Sequence, residues 1–243
     1  MNVVSLFDYT GIACVPWAKA GYDCFCFDLQ HDRVRKIHVG LGTITYVPWN
    51  SDKSDWLGNI EYYVATAWFV MSFAPCDDLA GSGSKHWVGK ALKDPDFQIK
   101  AAARFAKVET VAKKLGCDRW VAENPVGAVT RLWRKFNYTV HPCWYGGYIS
   151  EAEAEHPTWP EYIAPRDAYE KRTCLWTGPE FVLPPRRDVE PESFSGESAT
   201  KGKKLKFNRQ TKKLGGKSLK TKNIRSATPR GLFRAIFLHN KKS

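Results

Sequence analysis

The sequence predicts an α/β fold in which a mostly parallel central sheet is flanked by helices. Short apolar segments with the character of buried strands alternate with segments of helical periodicity, as in parallel sheets covered on both faces. The 243 residues suffice for one such domain with a substantial core, but not for two large domains. We expect strands at residues 2–7, 23–29, 44–47, 68–73, 119–122, 139–140 and 173–176, and helices at residues 12–20, 55–67 and 98–115.

The first strand, the first helix and the second strand have the outline of a nucleotide-binding βαβ unit. The first strand ends in Asp8-Tyr9-Thr10-Gly11, and the second ends at Asp28, about 20 residues after the turn. A glycine in the turn lets the backbone approach a ligand, and an acid at the second strand end can accept both ribose hydroxyls. From these residues alone, a nucleoside-type cofactor and an ordinary buried βαβ unit remain equally open.

Two later strands end in residues that could carry out chemistry. The strand at 68–73 leads into Pro75 and Cys76, and the strand at 119–122 is followed by Glu123, with Asn124-Pro125 shaping a turn. The carboxyl ends of parallel strands meet at one edge of a sheet, so we expect Cys76 and Glu123 to lie together. Each has an ordinary alternative, because a thiol is often a small buried hydrophobe and a carboxylate often caps a surface turn.

Together, a cysteine and a carboxyl group on adjacent strand ends fit the methylation of cytosine at C5. Addition of the Cys76 thiolate at C6 would make C5 nucleophilic, and Glu123 at N3 would neutralise the charge that develops. The same chemistry needs a methyl donor at the neighbouring strand end.

The other cysteines indicate a reducing compartment. The chain has seven cysteines, an odd number without any CxxC spacing, and this pattern predicts neither a disulfide framework nor a metal site. The N-terminus lacks the basic and apolar regions of a secretory signal, and residues 62–75 are too short and too interrupted to cross a bilayer. We therefore expect a cytoplasmic protein with no metal and no membrane contact.

The positive charge is concentrated in the last fifth of the sequence. The formal net charge is +12, yet residues 196–243 hold 15 Lys and Arg against the single acid Glu197, so the remainder carries −2. Such a segment suits a polyanion such as DNA or RNA. A solvated, disordered Lys-rich segment is the alternative.

Several blocks of the sequence, taken in order, resemble the DNA (cytosine-5) methyltransferase family. More closely, they resemble a compact, phage- or prophage-type branch that lacks a large target-recognition domain. The matching blocks are Leu6 to Gly11, Ala20-Gly21-Tyr22 with Asp28, Pro75 to Gly83, Glu123-Asn124-Pro125, His141-Pro142 with Tyr145-Gly146-Gly147, Lys171 to Trp176, and Arg225 to Gly231.

This resemblance implies a Rossmann-like fold of the S-adenosylmethionine-dependent methyltransferases, acting on DNA through a covalent adduct between Cys76 and cytosine C6. It implies catalytic roles for Cys76, Glu123, Asn124, Pro75 and Arg172. The residues implied at the S-adenosylmethionine site are Phe7, Asp8, Thr10, Gly11, Asp28, Leu29, Trp49, Asn50 and Phe73. The basic residues expected to bind nucleic acid are Lys85, Lys171, Lys203, Lys204, Lys206, Arg209, Lys212, Lys213 and Arg225.

The domain organisation expected from the sequence has three parts. Residues 1–183 form the catalytic domain, with a mobile insertion at about 150–167. Residues 184–224 form a basic linker or reduced DNA-binding segment, and residues 225–243 form a helix that docks on the catalytic domain, with Thr228 as its cap and Pro229 at its first position. We expect a monomer in a bacterial host, encoded by a phage, that acts on duplex or single-stranded DNA.

The sequence departs from the family pattern in ways that keep a second function open. The turn at 8–11 keeps one glycine, Ala80 replaces the usual serine after the cysteine, and the basic strand is incomplete. The alternative is a catalytically inactive or amino-directed methyltransferase-like protein that binds nucleic acid, such as a phage decoy or anti-restriction factor.

Overall fold

The computed structural model describes residues 1–197, 204–215 and 218–242. The chain divides into two compact units, the first formed by Met1–Val140, Arg172–Val182 and Asn240–Ser243, the second by His141–Lys171 and Leu183–His239. This division differs from the boundaries expected at 183 and 224, because residues before 171 pair with residues after 183. Within the second unit, for example, Gly147 N donates to Arg187 O at 2.8 Å.

The first unit contains an eight-stranded sheet. Five strands, β1, β2, β4, β5 and β6, form its parallel part, while β3, β8 and β7 run antiparallel to their neighbours. The order across the sheet is β3-β4-β2-β1-β5-β6-β8-β7. The strands are β1 Asn2–Leu6, β2 Asp23–Asp28, β3 Arg35–Val39, β4 Gly42–Pro48, β5 Phe69–Ser72, β6 Trp120–Pro125, β7 Tyr138–Val140 and β8 Thr173–Thr177.

Helices cover this sheet and bury apolar residues against it. The longest, α4, buries Phe105, Val108 and Val111 in a core that also contains Val4 and Trp176. Its sequence places buried residues at helical spacing along one stripe, as an amphipathic helix requires. The helices of the first unit are α1 Val15–Lys19, preceded by a 3₁₀ turn at Ile12–Cys14, α2 Trp56–Tyr63, α3 Trp87–Ala91, preceded by a 3₁₀ segment at Gly81–His86, α4 Phe97–Lys114 and α5 Val129–Leu132.

This architecture confirms the predicted fold class, a Rossmann-like α/β fold with a mostly parallel central sheet flanked by helices. Two details differ from the sequence-based expectation. The strand β3 was not expected, because it is an edge strand whose charged, exposed residues lack the pattern of a buried strand. The turn expected at Asn124-Pro125 is wrong, since both residues belong to β6 and pair with Cys174 and Thr173 of β8.

The second unit combines 3₁₀ turns, a strand pair and three helices. Ile163, Ala164, Tyr169 and Ala227 form a small apolar core. The stretch expected to be a linker contains regular elements despite its polar composition. The elements of the whole second unit are 3₁₀ turns at Pro142–Tyr148, Glu151–Glu153 and Pro165–Asp167, an antiparallel pair of β9 Phe194–Glu197 and β10 Lys204–Phe207, and helices α6 Arg209–Lys213, α7 Leu219–Arg225 and α8 Arg230–Asn240.

The expected insertion at 150–167 contacts the first turn of α8. The guanidinium of Arg230 donates to the carbonyls of Glu153 at 2.8 Å and Ala154 at 2.7 Å. Gly231 N donates to the Asp167 carboxylate at 2.9 Å. The helix begins at Arg230, one residue later than expected, and Pro229 O accepts the early helical hydrogen bond from Phe233 N. Mobility of the insertion stays a prediction.

Two buried titratable groups of the second unit have shifted pKa values of opposite sign. His156 is 1% exposed and Asp167 is 0% exposed. Burial, helped by the positive charge of Arg230, lowers the pKa of His156 to about 4. Burial raises the pKa of Asp167 to about 6, against lowering contributions from Gly231 N–H and Arg230. The folded unit therefore favours the neutral form of both groups.

No helix within the described ranges is both long enough and apolar enough to cross a membrane.

Candidate active site

Three neighbouring parallel strands bring the predicted functional segments to one edge of the sheet. Leu6 of β1 is in register with Ser72 of β5, and Ser72 is in register with Ala122 of β6. The turn at residues 7–11, the segment Pro75-Cys76 and Glu123 each follow one of these positions along the chain. The strand ends therefore gather these segments side by side, and this arrangement follows from the parallel pairing alone.

Backbone and side-chain hydrogen bonds fix the loop after β5 to the end of β6. Asn124, which is 1% exposed, donates from Nδ2 to Ala74 O at 3.2 Å. Leu79 O accepts from Ala128 N at 2.8 Å, and Gly81 N donates to Val126 O at 2.9 Å. The two loops that carry Cys76 and Glu123 are thus joined on both sides of the cysteine.

The backbone of the loop after β5 and the backbone just after β6 approach closely because residue 127 is a glycine. An added Cβ at Gly127 would lie 1.9 Å from Leu79 O, a distance that no real side chain tolerates. Ala80 and Gly127 form an isolated antiparallel bridge at the same place. The need for a glycine here comes from packing, because Gly127 does not have the positive φ that favours glycine.

Cys76 differs from the other six cysteines of the chain in its exposure. All seven are described; the other six are buried, and Cys76 is partly exposed. Its carbonyl accepts hydrogen bonds from Leu79 N at 3.0 Å and Ala80 N at 2.8 Å, so it begins a tight turn. Lys90 Nζ donates to Asp77 O at 3.0 Å and pairs with the Asp78 carboxylate. In this turn Cys76 is partly exposed.

Glu123 and Arg172 lie at the junction of β6 with β8. Glu123 is half-buried and lies opposite Leu175 in the antiparallel ladder, while Arg172 immediately precedes β8 and is exposed. Burial raises the pKa of the Cys174 thiol; a hydrogen bond with Thr139 and the charge of Arg172 lower it, while the charge of Glu123 raises it further. A cation and a carboxylate are thus both close to the start of β8.

The turn after β1 is held by the carboxylate of Asp8. Asp8 is 3% exposed and accepts hydrogen bonds from Ser5 Oγ at 2.7 Å, Gly11 N at 2.7 Å, Thr10 N at 3.1 Å and Thr10 Oγ1 at 3.3 Å. Burial raises its pKa, against the lowering effect of these bonds. The side chain predicted to contact a cofactor therefore stabilises its own turn.

Two backbone conformations in this turn are unusual. Phe7 has φ +56°, a left-handed value that is costly for a bulky residue, and its N–H donates to Phe27 O at 2.7 Å. Gly11 has φ +68°, and an added Cβ there would lie 2.8 Å from the hydroxyl of Tyr46. Strain of this kind persists where the surrounding structure holds the backbone in one conformation.

An aromatic wall and a buried acid lie next to the turn. The rings of Phe7 and Trp49 meet edge to face with centroids 5.0 Å apart. Asp28, which is 7% exposed, accepts from Gln30 N at 2.7 Å, and its carbonyl accepts from Trp49 N at 3.1 Å. Burial raises the pKa of Asp28, with a lowering contribution from its bond to Gln30.

The remaining residues predicted at this site differ in exposure. Leu29 is 71% exposed, whereas Phe73 and Asn50 are half-buried. The Asn50 side chain accepts a hydrogen bond from Asp52 N at 2.9 Å. Phe73 N donates to Leu6 O at 3.0 Å, which fixes the exit of β5 beside β1.

The structure adds two residues that the sequence did not indicate. His31 Nε2 lies 3.2 Å from Asp8 O, and its ring stacks on Tyr9. Tyr46 lies edge-on to His31, and the guanidinium of Arg35 lies 4.5 Å from the centroid of the Tyr46 ring. In the sequence, the one signal that could have indicated His31 is its position three residues after Asp28. Tyr46 has no such signal, because it reaches the turn only through the pairing of β4 with β2.

The basic residues predicted to bind nucleic acid are divided between the units. Lys85, in the first unit, is exposed in the segment that follows Cys76. In the second unit, Arg209 is paired with Glu192 at 2.6 Å, Lys171 donates to Arg225 O at 3.1 Å, and Arg225 donates to Leu214 O at 3.0 Å. Lys213 is exposed, Lys203 lies outside the described residues, and Lys204, Lys206 and Lys212 are described only by their backbone positions in β10 and α6.

Comparisons with known proteins find likenesses among solved structures. No family model and no curated protein matches the chain. The chain is similar to the crystal structure of a candidate DNA modification methyltransferase encoded within a prophage of E. coli, with 12% identity and a TM-score of 0.39. The match covers 73% of this chain and 46% of that chain, so the chain spans about half the length of that protein. We base no functional argument on a likeness of this size.

Proposed function

We propose that the chain is an S-adenosylmethionine-dependent DNA cytosine-C5 methyltransferase in which Cys76 is the nucleophile. One observation carries the proposal: the one cysteine that is not buried lies on the loop joined by Asn124 to the strand that bears Glu123. A thiol for C6 and a carboxyl group for N3 are the two groups that this reaction requires of a protein.

The turn after β1 and the end of β2 suit the cofactor. S-adenosylmethionine, when bound, supplies an electrophilic methyl group. The fit is supported by the buried Asp28, which suits ribose hydroxyls, and by the edge of the Phe7–Trp49 pair, which suits an adenine ring. The left-handed conformations of Phe7 and Gly11 fix the shape of the turn that would face the ligand. Thr10, Leu29, Asn50 and Phe73 complete the proposed surroundings.

Cys76 and Glu123 divide the work on the base. The Cys76 thiolate forms an S–C6 bond, and the electron pair of the C5–C6 double bond becomes available at C5 while Glu123 holds a proton at N3. The C5–methyl bond would form as the methyl–sulfur bond of S-adenosylmethionine breaks, with S-adenosylhomocysteine as the product. Loss of the C5 proton to water would then restore the C5–C6 double bond and expel the Cys76 thiolate. Asn124 and Pro75 would position the cysteine loop, and Arg172, exposed just before β8, would add positive charge near the end of β6.

The substrate base has to leave the stack of a duplex, since C6 is not accessible within it. Flipping costs a few kcal/mol and is easiest in single-stranded or mismatched DNA. Lys85 beside the cysteine loop and the basic residues of the second unit would hold phosphates, and phosphate contacts give affinity without sequence readout. We propose salt-sensitive DNA binding with short or relaxed sequence preference by a cytoplasmic monomer.

The test compares Cys76→Ser with Cys117→Ser, a buried cysteine away from the sheet edge. Methyl transfer from labelled S-adenosylmethionine to DNA is measured together with cofactor binding by calorimetry. We expect Cys76→Ser to bind cofactor normally and to lose transfer, while Cys117→Ser retains both. Mass spectrometry of digested DNA should show 5-methylcytosine, and N4-methylcytosine or N6-methyladenine would instead mean an amino-directed enzyme.

A second measurement follows the covalent bond itself. Cytosine with fluorine at C5 cannot lose a proton there, so the adduct with Cys76 should persist and shift the protein in a denaturing gel. Unimpaired transfer by Cys76→Ser would refute the proposal. DNA binding without any cofactor binding would favour the inactive nucleic-acid-binding alternative.

A further inference from the structure

Three of the seven cysteines gather beneath the turn at residues 8–11. Cys14 lies in the first helical segment, and Cys24 and Cys26 lie two residues apart in β2, so they face the same side of the sheet. All three are 0% exposed. The Cys26 thiol contacts the Cys14 sulfur at 3.5 Å, and the Cys24 thiol donates to Cys14 O at 3.6 Å.

The carboxylate of Asp8 joins two of these thiols. One ligand atom each from Asp8, Cys14 and Cys26 lies within 4.8 Å of the other two, and all three residues are buried. In a tetrahedral zinc site with Zn–S bonds of about 2.3 Å, two sulfur ligands are about 3.8 Å apart. The observed sulfur separation of 3.5 Å is close to this value, so the ion could be accepted with small side-chain movements.

The charges in this cluster favour a cation. The Cys14 and Cys26 sulfurs lie within 4.8 Å of a carboxylate oxygen of the buried Asp8, and a divalent cation bound between them would balance the charge of that carboxylate and of the coordinating thiolates. Within the described part of the chain, the hydrogen bonds to the Asp8 carboxylate come from Ser5, Thr10 and Gly11, and no Lys or Arg pairs with it. Buried anions are costly unless a positive charge or a metal accompanies them.

We infer that Asp8, Cys14 and Cys26 form a binding site for one thiophilic divalent cation, of which Zn²⁺ is the commonest in proteins. Binding would release the remaining thiol protons and bring two units of positive charge to the buried anions. The Asp8 carboxylate has room for this ligand bond, because among the residues described the Ser5 hydroxyl is the only group that donates to Oδ2. The ion would connect β1, the first helical segment and β2, and so rigidify the turn at 8–11. This inference does not depend on the proposed function.

The sequence alone argued against a metal, because it contains no CxxC spacing. The three ligands come instead from separate elements, and only the pairing of β1 with β2 brings Asp8 and Cys26 together. The spacing Cys14…Cys26 therefore carries no local signature that a sequence motif could detect.

The first experiment uses the intact chain purified without chelator and measures its metal content by mass spectrometry. We expect about one equivalent of zinc per chain. In a Cys76→Ser background, which removes the one partly exposed thiol, the content should be unchanged, and Cys117→Ser serves as the matched buried-cysteine control. Cys26→Ser should lose most of the metal while retaining the circular dichroism spectrum of the parent. Equal metal in Cys26→Ser and Cys117→Ser would overturn the inference.

A second experiment needs no substitution at the site and so does not depend on how Cys26→Ser folds. The Cys76→Ser chain is refolded from denaturant with Cd²⁺ or with a chelator. With Cd²⁺ we expect an ultraviolet thiolate-to-metal charge-transfer band that saturates at about one equivalent, together with a higher thermal midpoint. A chain that refolds to the same midpoint in both conditions and shows no such band would overturn the inference.

Discussion

Replacing Gly127 by alanine should displace the loop that carries Cys76 and thereby affect both stability and activity. The added methyl group would lie 1.9 Å from Leu79 O and 2.8 Å from Leu79 C, while contacts of real Cβ atoms begin near 3.0 Å. The two backbones must therefore separate by at least about 1 Å. The hydrogen bond from Ala128 N to Leu79 O, now 2.8 Å long, and that from Gly81 N to Val126 O cannot both survive such a movement.

The size of the effect follows from those two bonds. Each buried backbone hydrogen bond contributes about 1 kcal/mol, and a group left unsatisfied costs about 1–3 kcal/mol, so we expect a loss of about 2–4 kcal/mol in the free energy of unfolding. Because a displacement of about 1 Å of a reacting group can cost about 100-fold in rate, methyl transfer should fall by about that factor. The Cys76 loop is the element that moves, so cofactor binding at the turn after β1 should change little.

The assay combines urea unfolding with methyl transfer at saturating cofactor. Gly58→Ala is the matched control, because Gly58 lies inside α2 with no atom within 4 Å of an added Cβ. Alanine is favoured over glycine within a helix, so that variant should gain about 0.5–1 kcal/mol in stability and keep full activity. If Gly127→Ala unfolds and transfers like the parent chain, the two loops are not held as described.

Two further predictions concern the second unit and the nucleic-acid contact. Because the pKa of Asp167 is raised to about 6, the folded state loses stability as the pH rises from about 4 to about 6. Because the pKa of His156 is lowered to about 4, the folded state gains stability as the pH rises from about 4 to about 6.5. Each effect is about 3 kcal/mol and the two nearly cancel, so the thermal midpoint of the parent should vary little across this pH range. The thermal midpoint of Asp167→Asn should instead rise with pH. If the two proteins show parallel profiles of midpoint against pH, the pKa of Asp167 is not raised as described. Lys85→Ala should weaken DNA binding at low salt and reduce, by about 1, the slope of the logarithm of the DNA-binding constant against the logarithm of the salt concentration. Fluorescence anisotropy at several salt concentrations measures this slope. An unchanged slope would exclude a phosphate contact by Lys85.

The sequence predicts the parallel part of the fold well, because buried strands and long helices have strong periodic signals. It also predicts that the segments with Cys76 and Glu123 meet at one edge of the sheet, since Cys76 follows β5 and Glu123 lies near the end of the neighbouring β6. It fails at β3, where an exposed edge strand has no buried face to reveal it. It fails again at Asn124 and Pro125, because their place in β6 depends on pairing with β8, which lies about 50 residues further along the chain.

The details of the site depend on contacts that no local pattern encodes. Asp8 appeared to be a ligand-facing acid, yet its carboxylate closes its own turn through four hydrogen bonds. Gly127 had no signal in a sequence where glycine is common in loops, and its importance comes from the close backbone of Leu79. Composition also misjudged residues 184–224, where a polar, Lys-rich stretch contains a strand pair and two short helices.

The position of β8 in the sheet has a consequence for the order in which the protein can assemble during synthesis. Within the described sheet, β7 pairs with β8 alone, and β8 fills the place between β7 and β6 after an excursion of 31 residues, His141–Lys171, into the second unit. A nascent chain that has emerged only as far as β7 therefore has an open edge along Glu123 and Asn124, and a strand with no partner. The proposed catalytic edge would be completed late, after residues 141–171 have been synthesised. Slow or interrupted translation near these residues would prolong exposure of an aggregation-prone strand edge.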